Sequence, residues 1–155
     1  MKILFNEHPN KGFQRVGYCS YYGEIFYALE EVCEVTSSCG VPSRTSEFGS
    51  GYDAIVMGFG HTDCGDAGPM PTINDNNIPL FPILNKEYTG LKQKLEWIKN
   101  MKPTAALTVH HDTEEYSKIT GIPFHRIMWS ANENLFKDYG EDYKYDLFFL
   151  SLIHI

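Results

Sequence analysis

Imidazoles dominate the chemistry this sequence could perform. There are six His, and five lie at or near the ends of apolar runs: His8, His61, the pair His110-His111 and His125. Imidazole can serve as a general base near neutral pH, donate to a phosphate or sugar hydroxyl, or ligate a metal. Taken singly, each of these residues reads as a polar loop residue or a helix cap. Jointly they say more, because three separate segments place His just after a predicted strand. His8 follows Ile3-Leu4-Phe5, His61 follows Ala54-Ile55-Val56-Met57-Gly58-Phe59, and His110-His111-Asp112 follows Thr104 to Val109. In an open α/β sheet, ligands bind beyond the carboxyl ends of the strands, so these rings are expected to converge on one crevice. His125 falls inside a predicted strand and is expected to be a core or strand-edge residue.

His110-His111-Asp112 could be a metal set, but adjacent residues seldom present both rings to one ion. No H-E-x-x-H motif and no C-x-x-C pair accompanies them, so the sequence favours no metal. No G-x-S-x-G elbow is present. The segment Pro9-Asn10-Lys11-Gly12-Phe13-Gln14-Arg15-Val16-Gly17 leads into a predicted helix. Gly12 and Gly17 permit close backbone approach there, and a helix N-terminus offers unpaired N–H groups to an anion. It is neither G-x-G-x-x-G nor a P-loop, and the plainer reading is a loop.

The elements that must position these groups alternate between apolar runs and helical patterns. That alternation predicts an α/β fold: a Rossmann-like, mostly parallel sheet with helices on both faces. The strongest helical stripe is Tyr18, Tyr21, Tyr22, Ile25, Phe26, Leu29, Val32 and Cys33. Val35 marks a short second strand. Residues 39–52 are rich in Gly, Ser and Pro, and are expected to be an irregular crossover. Residues 60–77 read as a long loop. Ile78 to Leu84 reads as a strand that Pro79 and Pro82 make either an edge strand or a short segment. Thr89 is the expected cap of a helix carrying Leu91, Leu95, Ile98 and Met101. Asp112 and Glu115 have capping-box spacing for a short helix that ends near Gly121 and Pro123. Phe124 to Trp129 is the next strand.

Composition narrows the class. With 155 residues, 43% apolar and 14% aromatic, the chain can build a core of its own. Its 13 Lys and Arg against 20 Asp and Glu leave a net charge of −7. No two basic residues are adjacent, so a nucleic-acid partner is not expected. Four Cys without a C-x-x-C pair suggest a reduced setting. No apolar run approaches a membrane span and the first apolar run is too short for a signal peptide, so a cytoplasmic location is the expectation.

Three stretches carry a resemblance. They are Lys2 to Val35, Val109-His110-His111-Asp112, and Phe124 to Asp138 with Tyr145-Asp146-Leu147-Phe148-Phe149. Over residues 1–149 the chain resembles the N-terminal domain of glycosyltransferases of the GT-B fold, in the glycosyl transferases group 1 set. Asn132 to Asp138 is similar to that family's interdomain connector, where Asn-x-x-x-Phe precedes the first strand of the second domain.

The resemblance implies two Rossmann-like domains facing a cleft, the first binding acceptor and the second a nucleotide-sugar. A glycosyl group would pass from a nucleoside diphosphate to a hydroxyl of a glycan, lipid or small-molecule acceptor, without a metal or other cofactor. It assigns His110 and His111 to catalysis or donor-sugar contact. It places the loop of Gly12, Phe13 and Gly17 at the border of acceptor and donor phosphate, and His8, His61 and Asp112, at their strand ends, are the further substrate-binding candidates. The first loop departs from the family's glycine-rich form, and the donor-binding domain is not in this sequence, so the chain alone is expected to be inactive. The implied organisation is a domain over 1–131, a connector over 132–144 and the first strand of a second domain over 145–149. Residues 150–155, Leu-Ser-Leu-Ile-His-Ile, equal the in-frame translation of CTGTCTCTTATACACATC, a transposon end used in sequencing libraries. They are expected to be adapter read-through. Two rival readings are a one-domain flavodoxin-like module that binds flavin or phosphate, and a non-catalytic regulatory domain.

Overall fold

The structure is a computed structural model that describes residues 1–7, 23–39, 42–58, 71–84 and 90–128. Among the described residues, six strands form one all-parallel sheet in the order β2-β1-β3-β4-β5-β6. They are β1 (Lys2–Glu7), β2 (Glu34–Cys39), β3 (Ala54–Met57), β4 (Leu80–Leu84), β5 (Ala106–Thr108) and β6 (Phe124–Arg126). The helices are α1 (Gly23–Glu30), α2 (Leu91–Met101) and α3 (Thr113–Thr120). This is the Rossmann-like α/β architecture that the alternating pattern predicts. No helix among the described residues is long and apolar enough to cross a membrane.

Strand composition explains the burial. Ile3, Leu4, Phe5 and Asn6 of β1 are all buried, as are all four residues of β3. Successive side chains of a strand point to opposite faces, so both faces of the sheet centre are covered. The strand order reverses at β1. Right-handed crossovers then put α1 on one face and α2 with α3 on the other. Phe26 of α1 meets Phe5 of β1 edge to face, with ring centroids 5.7 Å apart. On α2, Leu95, Trp97, Ile98 and Met101 face the core.

Three local expectations are revised. The first concerns α1, which ends at Glu30, short of Val32 and Cys33. The Leu29 carbonyl accepts from the Val32 and Cys33 amides and from the Cys33 thiol, which turns the chain into β2 and leaves Val32 exposed. Tyr18, Tyr21 and Tyr22 lie outside the described residues. Second, β2 is six residues long although Thr36-Ser37-Ser38 lack apolar character, because it pairs with β1 along its whole length.

Third, β4 is an interior strand, not an edge, in spite of its prolines. The Leu80 N–H points toward β5, donating to Thr104 Oγ1, and Pro82 two residues on faces the same way. Pairing of β4 with β5 starts only at Ile83, so the N–H that Pro82 lacks is not required. The described part of the 39–52 crossover is irregular as expected, apart from one short turn. A 3₁₀ turn at Thr45–Phe48 is tied to the 72–76 segment. The buried Thr45 hydroxyl donates to Asn74 Oδ1 (3.0 Å) and accepts from the Asp75 and Asn76 amides (2.9 and 3.2 Å). Asn74 Nδ2 then reaches the Met101 carbonyl, and Trp97 Nε1 donates to the Pro71 carbonyl, so both irregular segments are anchored to α2.

Candidate functional site

Because the sheet is all parallel, every strand delivers its carboxyl end to one edge. At that edge β5 gives way to α3 through Val109-His110-His111-Asp112. Thr108, the last residue of β5, is fully buried. Its Oγ1 accepts the His110 amide at 3.1 Å, and its carbonyl accepts the Ile127 amide at 2.8 Å. The hydroxyl thereby takes the place of a backbone acceptor and turns the chain out of the sheet. Asp112 ends the turn as the residue before α3, its carbonyl accepting the Tyr116 amide at 3.0 Å. At the far end Gly121 closes the helix in the left-handed region at φ 73°.

The Asp112 side chain makes no capping hydrogen bond, so the capping box with Glu115 does not form. The carboxylate turns to the two imidazoles instead. Its Oδ2 lies 3.1 Å from His110 Nδ1 and its Oδ1 lies 3.5 Å from His111 Nε2. The rings stack with centroids 4.6 Å apart and planes at 16°. Adjacency therefore does not splay them. Because the chain is turning rather than extended, both rings lie on one side of it.

Tyr116, one helical turn past Asp112, completes the group. Its hydroxyl lies 3.2 Å from His110 Nδ1, and its ring packs against His110 and, edge to face, against Phe124 of β6. The cluster grades outward from the core. Tyr116 is buried, the His110 and Asp112 side chains are half-exposed (36% and 40%), and the His111 side chain is open to solvent (74%). One nitrogen of His110 is held from inside, while the His111 side chain on the outer side of the cluster is open to solvent.

His110, His111 and Asp112, consecutive in the chain, share one turn at the carboxyl end of β5. His8, Gly12, Phe13, Gly17 and His61 lie outside the described residues, as do the connector at 132–144 and residues 145–155. What is described of their neighbourhood is the strand framework. The ends of β1 and β3 are adjacent, whereas β4 separates β3 from β5. At about 4.8 Å per strand, the His110-His111 turn stands about 10 Å from the end of β3 and about 14 Å from that of β1. His125 is an exposed residue of β6, last in the strand order, so its edge placement holds and its core placement does not.

Two residues of this edge were not singled out in the sequence. Tyr116 could have been found by its position four residues past Asp112, on the same helical face. Asn6 is fully buried at the end of β1, where the strand order reverses, and its signal is an amide that interrupts the apolar run Ile3-Leu4-Phe5. Comparison with protein-family models, with curated proteins and with solved structures finds no match to this chain.

Proposed function

We propose that the chain is the acceptor-side half of a glycosyltransferase that moves a sugar from a nucleoside diphosphate to an acceptor hydroxyl. The observation that carries this reading is the Asp112–His110 pair, 3.1 Å apart, at the carboxyl edge of a parallel sheet. A carboxylate on Nδ1 holds that nitrogen as the protonated one and leaves Nε2 as the acceptor, which is the arrangement a general base needs. In the reaction, His110 Nε2 takes the proton of the acceptor hydroxyl while its oxygen bonds to the anomeric carbon. The bond from that carbon to the diphosphate oxygen breaks, and the diphosphate leaves with the electron pair. Asp112 stabilises the imidazolium that results. His111, stacked on His110 and open to solvent, is placed to contact the donor sugar or its diphosphate.

In this reading a second domain binds the donor and completes the cleft, so the present chain transfers no sugar by itself. The test is to sequence the locus past Phe149, express the whole reading frame and assay it on a panel of nucleotide sugars. Transfer is expected, and His110→Ala should lower kcat by about 10²–10⁴-fold. A reading frame without a second Rossmann-like domain, or no transfer from any donor, overturns the proposal.

Strand order favours a second reading. The order 2-1-3-4-5, extended here by a sixth strand, is also that of flavodoxin-like nucleotide-binding modules. In that case the ligand sits between the ends of β1 and β3, and the purified chain carries flavin absorbance or binds flavin mononucleotide. Neither is expected under the transferase reading.

A further inference from the structure

We propose that His110, His111 and Asp112 form a binding site for a divalent transition-metal ion of the Zn²⁺ class, one with affinity for imidazole. The donor atoms of the three residues all lie within 4.8 Å of one another. Ligands about 2.1 Å from an ion are about 3.0 Å apart at right angles and about 3.4 Å apart at the tetrahedral angle. His110 Nδ1 lies 3.1 Å from Asp112 Oδ2 and His111 Nε2 lies 3.5 Å from Asp112 Oδ1, so each imidazole nitrogen is at about such a spacing from one oxygen of the shared carboxylate. The His110–His111 donor separation lies within 4.8 Å, and the stacked rings must turn toward each other for both nitrogens to reach one ion.

The backbone that carries the ligands is already fixed. Thr108 Oγ1 holds the His110 amide, and the Asp112 carbonyl holds the first turn of α3. Two further observations favour an ion. Asp112 leaves its own helix uncapped and places its carboxylate between two imidazoles. The exposed outer face leaves coordination positions for water or a ligand oxygen. Two nitrogens and one oxygen suit Zn²⁺, Co²⁺ or Ni²⁺, whereas Mg²⁺ and Ca²⁺ prefer all-oxygen sets.

The inference goes beyond the transferase reading, because it concerns only this turn. Metal on His110 Nδ1 would engage the nitrogen that Asp112 holds in the dyad, so the ion is expected to inhibit sugar transfer rather than support it.

The test uses the metal-free chain titrated with Co²⁺ and followed by visible d–d absorption. One equivalent should bind, with no thiolate-to-metal charge-transfer band, and Zn²⁺ should displace it while excess Mg²⁺ does not. His111→Ala and Asp112→Ala should each weaken binding by at least about 10-fold, with unchanged far-UV circular dichroism. His125→Ala, on exposed β6, should leave binding unchanged. No Co²⁺ band, displacement by Mg²⁺, wild-type affinity in either ligand variant, or loss of binding in His125→Ala would overturn the site. The assay needs no sugar. Failed metal binding leaves the Asp112–His110 dyad standing, and failed sugar transfer leaves the metal site standing.

Discussion

The carboxylate of Asp112 lies 3.1 Å from Nδ1 of His110 and makes no hydrogen bond to the helix that Asp112 begins. A residue at a capping position has here been turned to a neighbouring imidazole. The two roles separate by measurement. A working N-cap loses about 1 kcal/mol on replacement by Ala. Asp112→Ala is therefore expected to change stability by less than about 0.5 kcal/mol in denaturant titration. In the full reading frame it should cut sugar transfer by about 10²-fold or more, because His110 loses the group that holds its tautomer. A stability loss near the capping value would show that the carboxylate serves the helix after all.

Thr45 carries a second prediction. Its hydroxyl is the acceptor for two backbone amides and the donor to Asn74, and the residue is almost fully buried. Thr45→Val keeps the shape and leaves those amides without an acceptor, so it should destabilise by about 1–3 kcal/mol. Thr45→Ser, which keeps the hydroxyl, should lose much less. Equal losses in urea unfolding would point to the methyl group instead.

Asp75 makes the same junction sensitive to acid. The Ser46 amide donates to its carboxylate, and the Ser46 hydroxyl and Arg44 guanidinium add to this, so its pKa is held below the ordinary carboxylate value. A carboxyl with a lower pKa in the folded state stabilises the fold above its unfolded pKa of about 3.9, and that contribution is lost as pH falls through the folded value. Asp75→Asn should flatten the pH dependence of stability below about pH 4 and leave its shape near neutrality unaltered. A variant whose acid limb superimposes on the wild type would exclude Asp75 as a contributor.

Lys102 closes α2 in the left-handed region at φ 48°, and is the one non-glycine residue with positive φ among those described. That conformation strains any side chain with a Cβ. Lys102→Gly should raise stability by about 0.5–1 kcal/mol, read as a higher midpoint in thermal or urea unfolding. A lower midpoint would mean that the lysine stem contributes more by packing than its backbone costs.

Contiguous apolar runs made most of the sheet legible. Ile3-Leu4-Phe5 and Ala54-Ile55-Val56-Met57 read as short buried strands, and the stripe Leu91, Leu95, Ile98, Met101 reads as a helix. The second strand was faint, because Thr36-Ser37-Ser38 form a strand through pairing with β1 and not through their own apolarity. Proline is a local signal and does not report that β4 is interior, because the side on which Pro82 lacks its N–H depends on which neighbour starts pairing where.

At the candidate site, order along the chain determined that His110, His111 and Asp112 sit between a strand and a helix, since an apolar run and a helix start bracket them. Only tertiary structure decided where the Asp112 carboxylate goes, that the two rings stack, and that the Tyr116 hydroxyl meets His110. Periodicity and capping rules act within one turn of the chain and describe what a side chain can reach. The choice among reachable partners is made by the sheet, which seats Phe124 and Thr108 so that Tyr116 and His110 are pressed into one cluster.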